Sequence, residues 1–165
     1  ADTIYIGGTA ITATAAEINA VADTSARLVS ATAATLAVTA AAHDGKVIVF
    51  NRAAGVTATL PAASGSGAMY RFSVGTTVTS NSYKIQVANT SDVFAGAVTI
   101  TDQADGTTGT FGTVAASDTI TLNGGTTGGL IGGLITIVDV AANKYAVVGT
   151  SVGSGTEATP FSAAV

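Results

Sequence analysis

The chain has no cysteine and no tryptophan, and only two prolines, one methionine and one histidine in 165 residues. Each shortage closes a class of explanation. Without cysteine there is no disulfide, no zinc–thiolate centre and no thiol nucleophile. Without tryptophan, and with aromatics at 5%, a sugar-stacking cleft has little to be built from. Charge is the scarcest ingredient: Asp, Glu, Lys and Arg make up 10% of the chain, against about 25% in ordinary soluble domains. The net charge is −4 and the six basic residues are scattered. No Lys or Arg cluster exists to displace counterions, so no nucleic-acid surface is expected. No apolar run approaches the ~20 residues of a spanning helix. The closest, Leu130 to Val138, holds Gly132 and Gly133 and stops at Asp139. No basic segment followed by an apolar h-region is visible, so no signal peptide and no membrane partner are expected.

What remains is Ala and Val mixed with Thr, Ser and Gly, at a mean hydropathy of +0.52. The length fits one domain with its own core. A surface solubilised by hydroxyls and backbone, and so poor in charge, suits a protein that faces other protein. Interface cores are depleted in charge in the same way.

The most legible stretch is Asp44 to Gly75. Val47 to Phe50, Val56 to Leu60 and Met69 to Val74 are short β-branched or aromatic runs separated by Gly-, Pro- and Ser-bearing breaks. Such runs read as strands joined by turns. In the third, Tyr70, Phe72 and Val74 alternate with Arg71 and Ser73, which gives one dry and one wet face. The expectation is a three-stranded meander that seeds the core, with the second strand ending at Pro61 or lying on an edge. Further strands are expected around Thr35 to Thr39, at Tyr83 to Val87, at Val93 to Ile100 with Gly96 as a bulge, and at Asp118 to Leu122. A hairpin is expected from Leu134 to Val140 and Lys144 to Val148. Many short strands with regular turn signals predict an all-β fold, an antiparallel β-sandwich or barrel of jelly-roll type.

The N-terminus differs. Ile4, Tyr5 and Ile6 precede Gly7 and Gly8, as an isolated strand or arm would. Thr14 and Glu17 then form a capping box, and Ile18, Val21 and Ala22 fall on one helical face. A short helix is expected over residues 15 to 22. The chain divides into an arm and helix, residues 1–30, and a β domain, residues 31–165.

Thr14-Ala15-Ala16-Glu17-Ile18-Asn19, followed by Ala22-Asp23-Thr24-Ser25-Ala26-Arg27, resembles a segment that recurs in tailed-bacteriophage virion proteins. His43-Asp44-Gly45-Lys46 with its strand, Thr57 to Ala62, Gly67 to Phe72, and Thr156 to Ser162 are similar to pieces of the same proteins. The resemblance implies a structural virion protein, with capsid decoration or cement favoured by the short chain. It further implies a homotrimer bound to the major capsid protein on the capsid surface of the virion, made in the bacterial host cytoplasm. Tandem copies of the first segment, frequent in long fibres, are missing. The alternative is a tail-fibre or receptor-binding module that grips a host surface glycan.

No catalytic pattern is complete in the sequence. His43 stands beside Asp44, but neighbours in extended chain point apart, which a Ser-His-Asp site does not tolerate. Asp102, Asp105 and Asp118 could offer oxygen ligands to calcium, yet lack the alternating ligands and distal Glu of an EF-hand. Gly128 and Gly133 have the spacing of a phosphate loop, with Leu134 where Lys is required. Glu17 and Glu157 lie at opposite ends of the chain, unlike a glycosidase pair. The reading is therefore no enzyme, no cofactor and no metal. The residues expected to contact capsid or a neighbouring subunit are Ile4, Tyr5, Ile6, Ile18 and Val21.

Overall fold

A computed structural model describes residues 4–15, 18 and 27–165. The all-β expectation holds. The strands are β1 (Tyr5–Ile6), β2 (Thr9–Ala10), β3 (Leu28–Ala31), β4 (Thr35–Ala37), β5 (Val47–Phe50), β6 (Val56–Thr59) and β7 (Met69–Val74). They continue with β8 (Tyr83–Gln86), β9 (Val93–Asp102), β10 (Thr108–Gly112), β11 (Thr119–Leu122), β12 (Leu130–Ala141), β13 (Lys144–Gly153) and β14 (Phe161–Ser162). A one-turn helix, α1, spans Ala40–His43, with the Thr39 side chain accepting from Ala42 N at its start.

Two sheets pack face to face. The seven-stranded sheet runs β10-β9-β13-β12-β7-β5-β3 and the five-stranded sheet runs β14-β11-β8-β6-β4. Both are mixed rather than purely antiparallel. From β3 to β8 the chain alternates between them. β3, β5 and β7 are parallel neighbours in the large sheet, and β4, β6 and β8 are parallel neighbours in the small one. This half of the molecule is a short β-solenoid of three coils, each giving one strand to each sheet. The expected meander is thus corrected. The strands of Asp44–Gly75 exist, but β5 pairs with β7 while β6 lies across the core. The link Asn51 to Gly55 is an arch between sheets, held by Arg52, whose Nη1 donates to Ala54 O at 2.9 Å and Gly55 O at 2.6 Å.

The second half closes the solenoid. β12 pairs antiparallel with β7, and β12 and β13 form the expected hairpin, with β12 longer at both ends and β13 longer at its C-terminal end than expected. β13 then runs parallel to β9 over the whole length of both strands. Gly96 is not a bulge, because its register with Val147 is unbroken. Its φ is 148°, and a Cβ there would collide with Val147 O. Only glycine lets these two backbones approach so closely.

Inward side chains form one core. Phe50 stacks on Tyr83 at 4.5 Å between ring centroids and on Phe72 at 5.6 Å. All three are buried, with Ile48, Leu60, Ile85, Ile120 and Ile137 around them. At the N-terminus, β1 and β2 pair only with each other as strands. Ile18 N donates to Thr14 O at 3.0 Å, as in a helix. Most of the helix expected over residues 15–22, Glu17 of its capping box and Val21 lie outside the described residues. β3 begins at Leu28, so the sheet starts inside the segment expected to be arm.

Candidate functional site

The strongest chemistry in the described residues is a carboxylate held by a loop. Strand alternation puts Asp139 on the core side of β12, in line with Ile135 and Ile137. The link Pro61 to Gly67 folds over it. Asp139 accepts from the backbone N–H of Ser64 at 3.0 Å, Gly65 at 2.7 Å and Ser66 at 3.0 Å. It also accepts from the hydroxyls of Ser64 at 3.0 Å and Ser66 at 2.6 Å. Gly65 has φ 79°, which turns successive N–H groups toward one point and makes an anion nest. Burial pushes the Asp139 carboxyl up. The hydrogen bonds from Ser66, Gly65 and Ser64 outweigh that and hold it well below the usual carboxylate range. It therefore stays ionised and has no proton to give.

The same end of the molecule is tied twice more. Asp92 accepts from Ala63 N at 3.1 Å and from the Asn89 amide at 2.9 Å. The buried Tyr145 hydroxyl donates to Pro61 O at 2.7 Å. Burial, with the nearby Tyr70, Asp139 and Asp92, pushes that phenol far up. The arrangement resembles an anion-binding loop filled by the protein's own side chain. It is a latch between the two sheets.

The other residues weighed for chemistry also have local structural roles. His43 is buried, and its Nδ1 lies 3.1 Å from Thr39 N and 3.2 Å from Thr39 O. Asp44 accepts from Met69 N at 2.8 Å. Asp105 accepts from Thr107 N at 2.9 Å and from its hydroxyl at 2.7 Å. Asp118 accepts from Ala164 N at 2.7 Å and Val165 N at 3.3 Å, and so holds the C-terminus. Among the described residues no three acidic or histidine side chains converge to hold a metal ion. The glycine-rich link Asn123 to Gly129 is organised by the Asn123 side chain, which accepts from Gly125 N and Thr127 N.

No family model, no curated protein and no solved structure matches this chain.

Two surfaces are available for binding. The first is the arm. Ile4 is 64% and Ile18 40% exposed, while Tyr5 and Ile6 form β1. Val21 lies outside the described residues. The second surface was missed in the sequence. It is the outer face of the seven-stranded sheet. Leu134, Val140, Val148 and Met69 are exposed there. Thr136 stands opposite Val148, Val138 opposite both Ala146 and Met69, and Val148 opposite Ala97. Arg71 donates to Gly45 O at 2.7 Å, and Lys144 stands at the end of β13. The signal was present. Ala146 and Val148 occupy the outward positions of β13, where a one-sided strand would carry polar residues. Among the described residues, no helix is long and apolar enough to cross a membrane.

Ala34, Thr35, Arg52, Gly55, Thr57, Asn81 and Ser82 line a surface groove. Arg52 is engaged by its own arch, and no aromatic ring lines the groove, so it offers little to a sugar.

Proposed function

We propose that the protein is a structural component of a tailed-phage particle. It acts as a decoration or cement protein that binds the major capsid protein without catalysis. The observation that carries this reading is the contrast between its polar and apolar groups. The described aspartates engage the protein's own backbone, while uncharged aliphatic side chains stand in solvent on the arm and on the large sheet. A protein arranged this way recognises by apolar contact, since exposed aliphatic patches mark protein-binding surfaces. The arm supplies the reach and the sheet the rigidity.

Quantitative mass spectrometry of purified particles tests the reading. A copy number close to that of the major capsid protein supports it. A few copies per particle move the protein to the tail, as a fibre or receptor-binding module. The double variant Ile4→Asp/Ile18→Asp is expected to lose binding to particles that lack the protein while keeping the wild-type circular dichroism. Undiminished binding by that variant removes the arm from the interface.

A further inference from the structure

Among the described residues, no strand pairs with the outer side of the first solenoid coil. β3 is the last strand of the large sheet and β4 the last strand of the small one, and both lie on the same flank. Their inward side chains, Val29 and Leu36, pack against the core but are only partly covered. Natural edge strands are usually blunted by charge, proline or a covering segment. Residues 28 to 42 contain no charged residue and no proline. A terminal solenoid coil needs a cap, and β1 and β2 form a separate two-stranded sheet that adds no strand to either edge.

The backbone groups on this flank follow a pattern. Val47 N donates to Arg27 O and Asn51 N to Ala31 O. In a parallel ladder a residue turns both its N–H and its C=O to the same side. Arg27, Val29 and Ala31 therefore face β5, and Leu28 and Ser30 face outward. In the small sheet Thr57 N donates to Ala34 O and Val38 N to Thr59 O. Ala34, Leu36 and Val38 face β6, and Thr35 and Ala37 face outward. An added antiparallel strand must place residues with outward groups opposite one another. A second β3 satisfies this with Leu28 opposite Ser30 and Ser30 opposite Leu28, which centres Val29 on Val29. A second β4 satisfies it with Thr35 opposite Ala37, which centres Leu36 on Leu36. One two-fold axis perpendicular to the sheets would relate both pairs at once. Val29 and Leu36 are also the two side chains on these strands that need covering.

We propose that the β3/β4 flank is a self-association interface. A second copy of this chain adds to both sheets at once, about one two-fold axis through the Val29 and Leu36 pairs. The contact is isologous, and it continues each sheet across the dimer. It does not depend on the capsid-binding reading and leaves the outer face of the large sheet free. A three-fold ring sets a surface against a different one, so the homotrimer implied by the resemblance could not pair these edges with their own copies.

The test is the solution mass of the full chain, by sedimentation equilibrium over a concentration series. The expected mass is twice the 15.9 kDa of one chain. Leu28→Pro/Ala37→Pro removes only outward N–H groups and is expected to give a monomer with unchanged circular dichroism. Val148→Lys, on the outer face, is expected to remain a dimer. Because the chain has no cysteine, Val29→Cys offers a second readout that does not depend on the proline variant folding. Opposed residues at a non-hydrogen-bonded antiparallel site are close enough for a disulfide. Mild oxidation should link V29C into dimers and leave V148C monomeric on a denaturing gel. A monomeric or trimeric wild type overturns the proposal. So does a dimer that forms no V29C cross-link, or one that dissociates with V148K.

Discussion

The two flanks of the sandwich are finished in opposite ways. At the β10/β14 flank the C-terminal segment folds back as cover. Phe161 is buried, Pro160 precedes β14, Asp118 holds the last two backbone N–H groups, and Glu157 accepts from Thr107 Oγ1 at 3.0 Å beside β10. At the β3/β4 flank nothing comparable is present among the described residues. Val29 and Leu36 are half-covered, and the edge is uncharged. Both flanks are built from the same Ala-, Val- and Thr-rich material, so composition does not separate them. The difference lies in where the few special residues fall. Proline and acids serve the closed flank and the loops, where they satisfy backbone donors. The open flank has only alternation.

The comparison implies that stability resides in the core and the latched loops, and association at the open edge. The largest loss is expected in the shared core. Phe72→Ala removes a buried ring stacked on Phe50 and should cost about 3–5 kcal/mol in chemical denaturation. The proposed binding to capsid should fall only in proportion to unfolding. A variant that folds with wild-type stability yet fails to bind would move the binding surface into the core strands.

Next in size is the latch. Asp139→Asn should cost about 2–3 kcal/mol, since several buried backbone N–H groups lose a charged acceptor. The effect depends on pH with a definite sign. The folded carboxyl lies below its unfolded value of about 3.9, so its contribution is complete above that value and fades as pH falls toward the folded one. The stability gap between wild type and D139N should therefore hold at neutral pH and narrow below about pH 4. A gap independent of pH would mean that Asp139 acts by shape and not by charge.

A smaller contrast uses two buried tyrosines. The Tyr145 hydroxyl donates to Pro61 O, whereas the Tyr70 hydroxyl has no partner among the described residues. Tyr145→Phe should cost about 1 kcal/mol. Tyr70→Phe should be neutral or slightly stabilising. Equal losses would show that Tyr70 has an acceptor of its own.

Much of the strand content was legible because alternation reports burial. Tyr70, Phe72 and Val74 read as inward and are inward. Alternation does not report neighbours. Val47–Phe50 and Val56–Thr59 would look the same in a hairpin as in an arch between sheets, so the meander was a natural misreading. β10 escaped notice because Thr108-Gly109-Thr110-Phe111-Gly112 has the composition of a loop and becomes a strand only against β9. α1 was hidden by three alanines that suit either state. Asp139 was visible as the end of an apolar run. Its role needed Ser64 to Ser66, which lie far away in sequence. The arm residues Ile4 and Ile18 were singled out and are exposed, but what they touch is not written in the chain.

The smallest expected effect falls on the open flank and separates the two functions most cleanly. Leu28 is 60% exposed at the start of β3, and its side chain points away from the core. Leu28→Lys removes little buried surface, so stability should change by less than about 0.5 kcal/mol. Yet the charge lands on the edge that a second strand would approach. Two copies related by a two-fold would bring two such lysines to one short seam. Like charges brought together across strands are unfavourable, and lysine is the residue natural edges use against pairing. Unfolding by urea should therefore match wild type while self-association weakens. A loss of stability without change of mass would instead make Leu28 part of the core, and would erase the contrast between a flank closed by its own tail and one left for a partner.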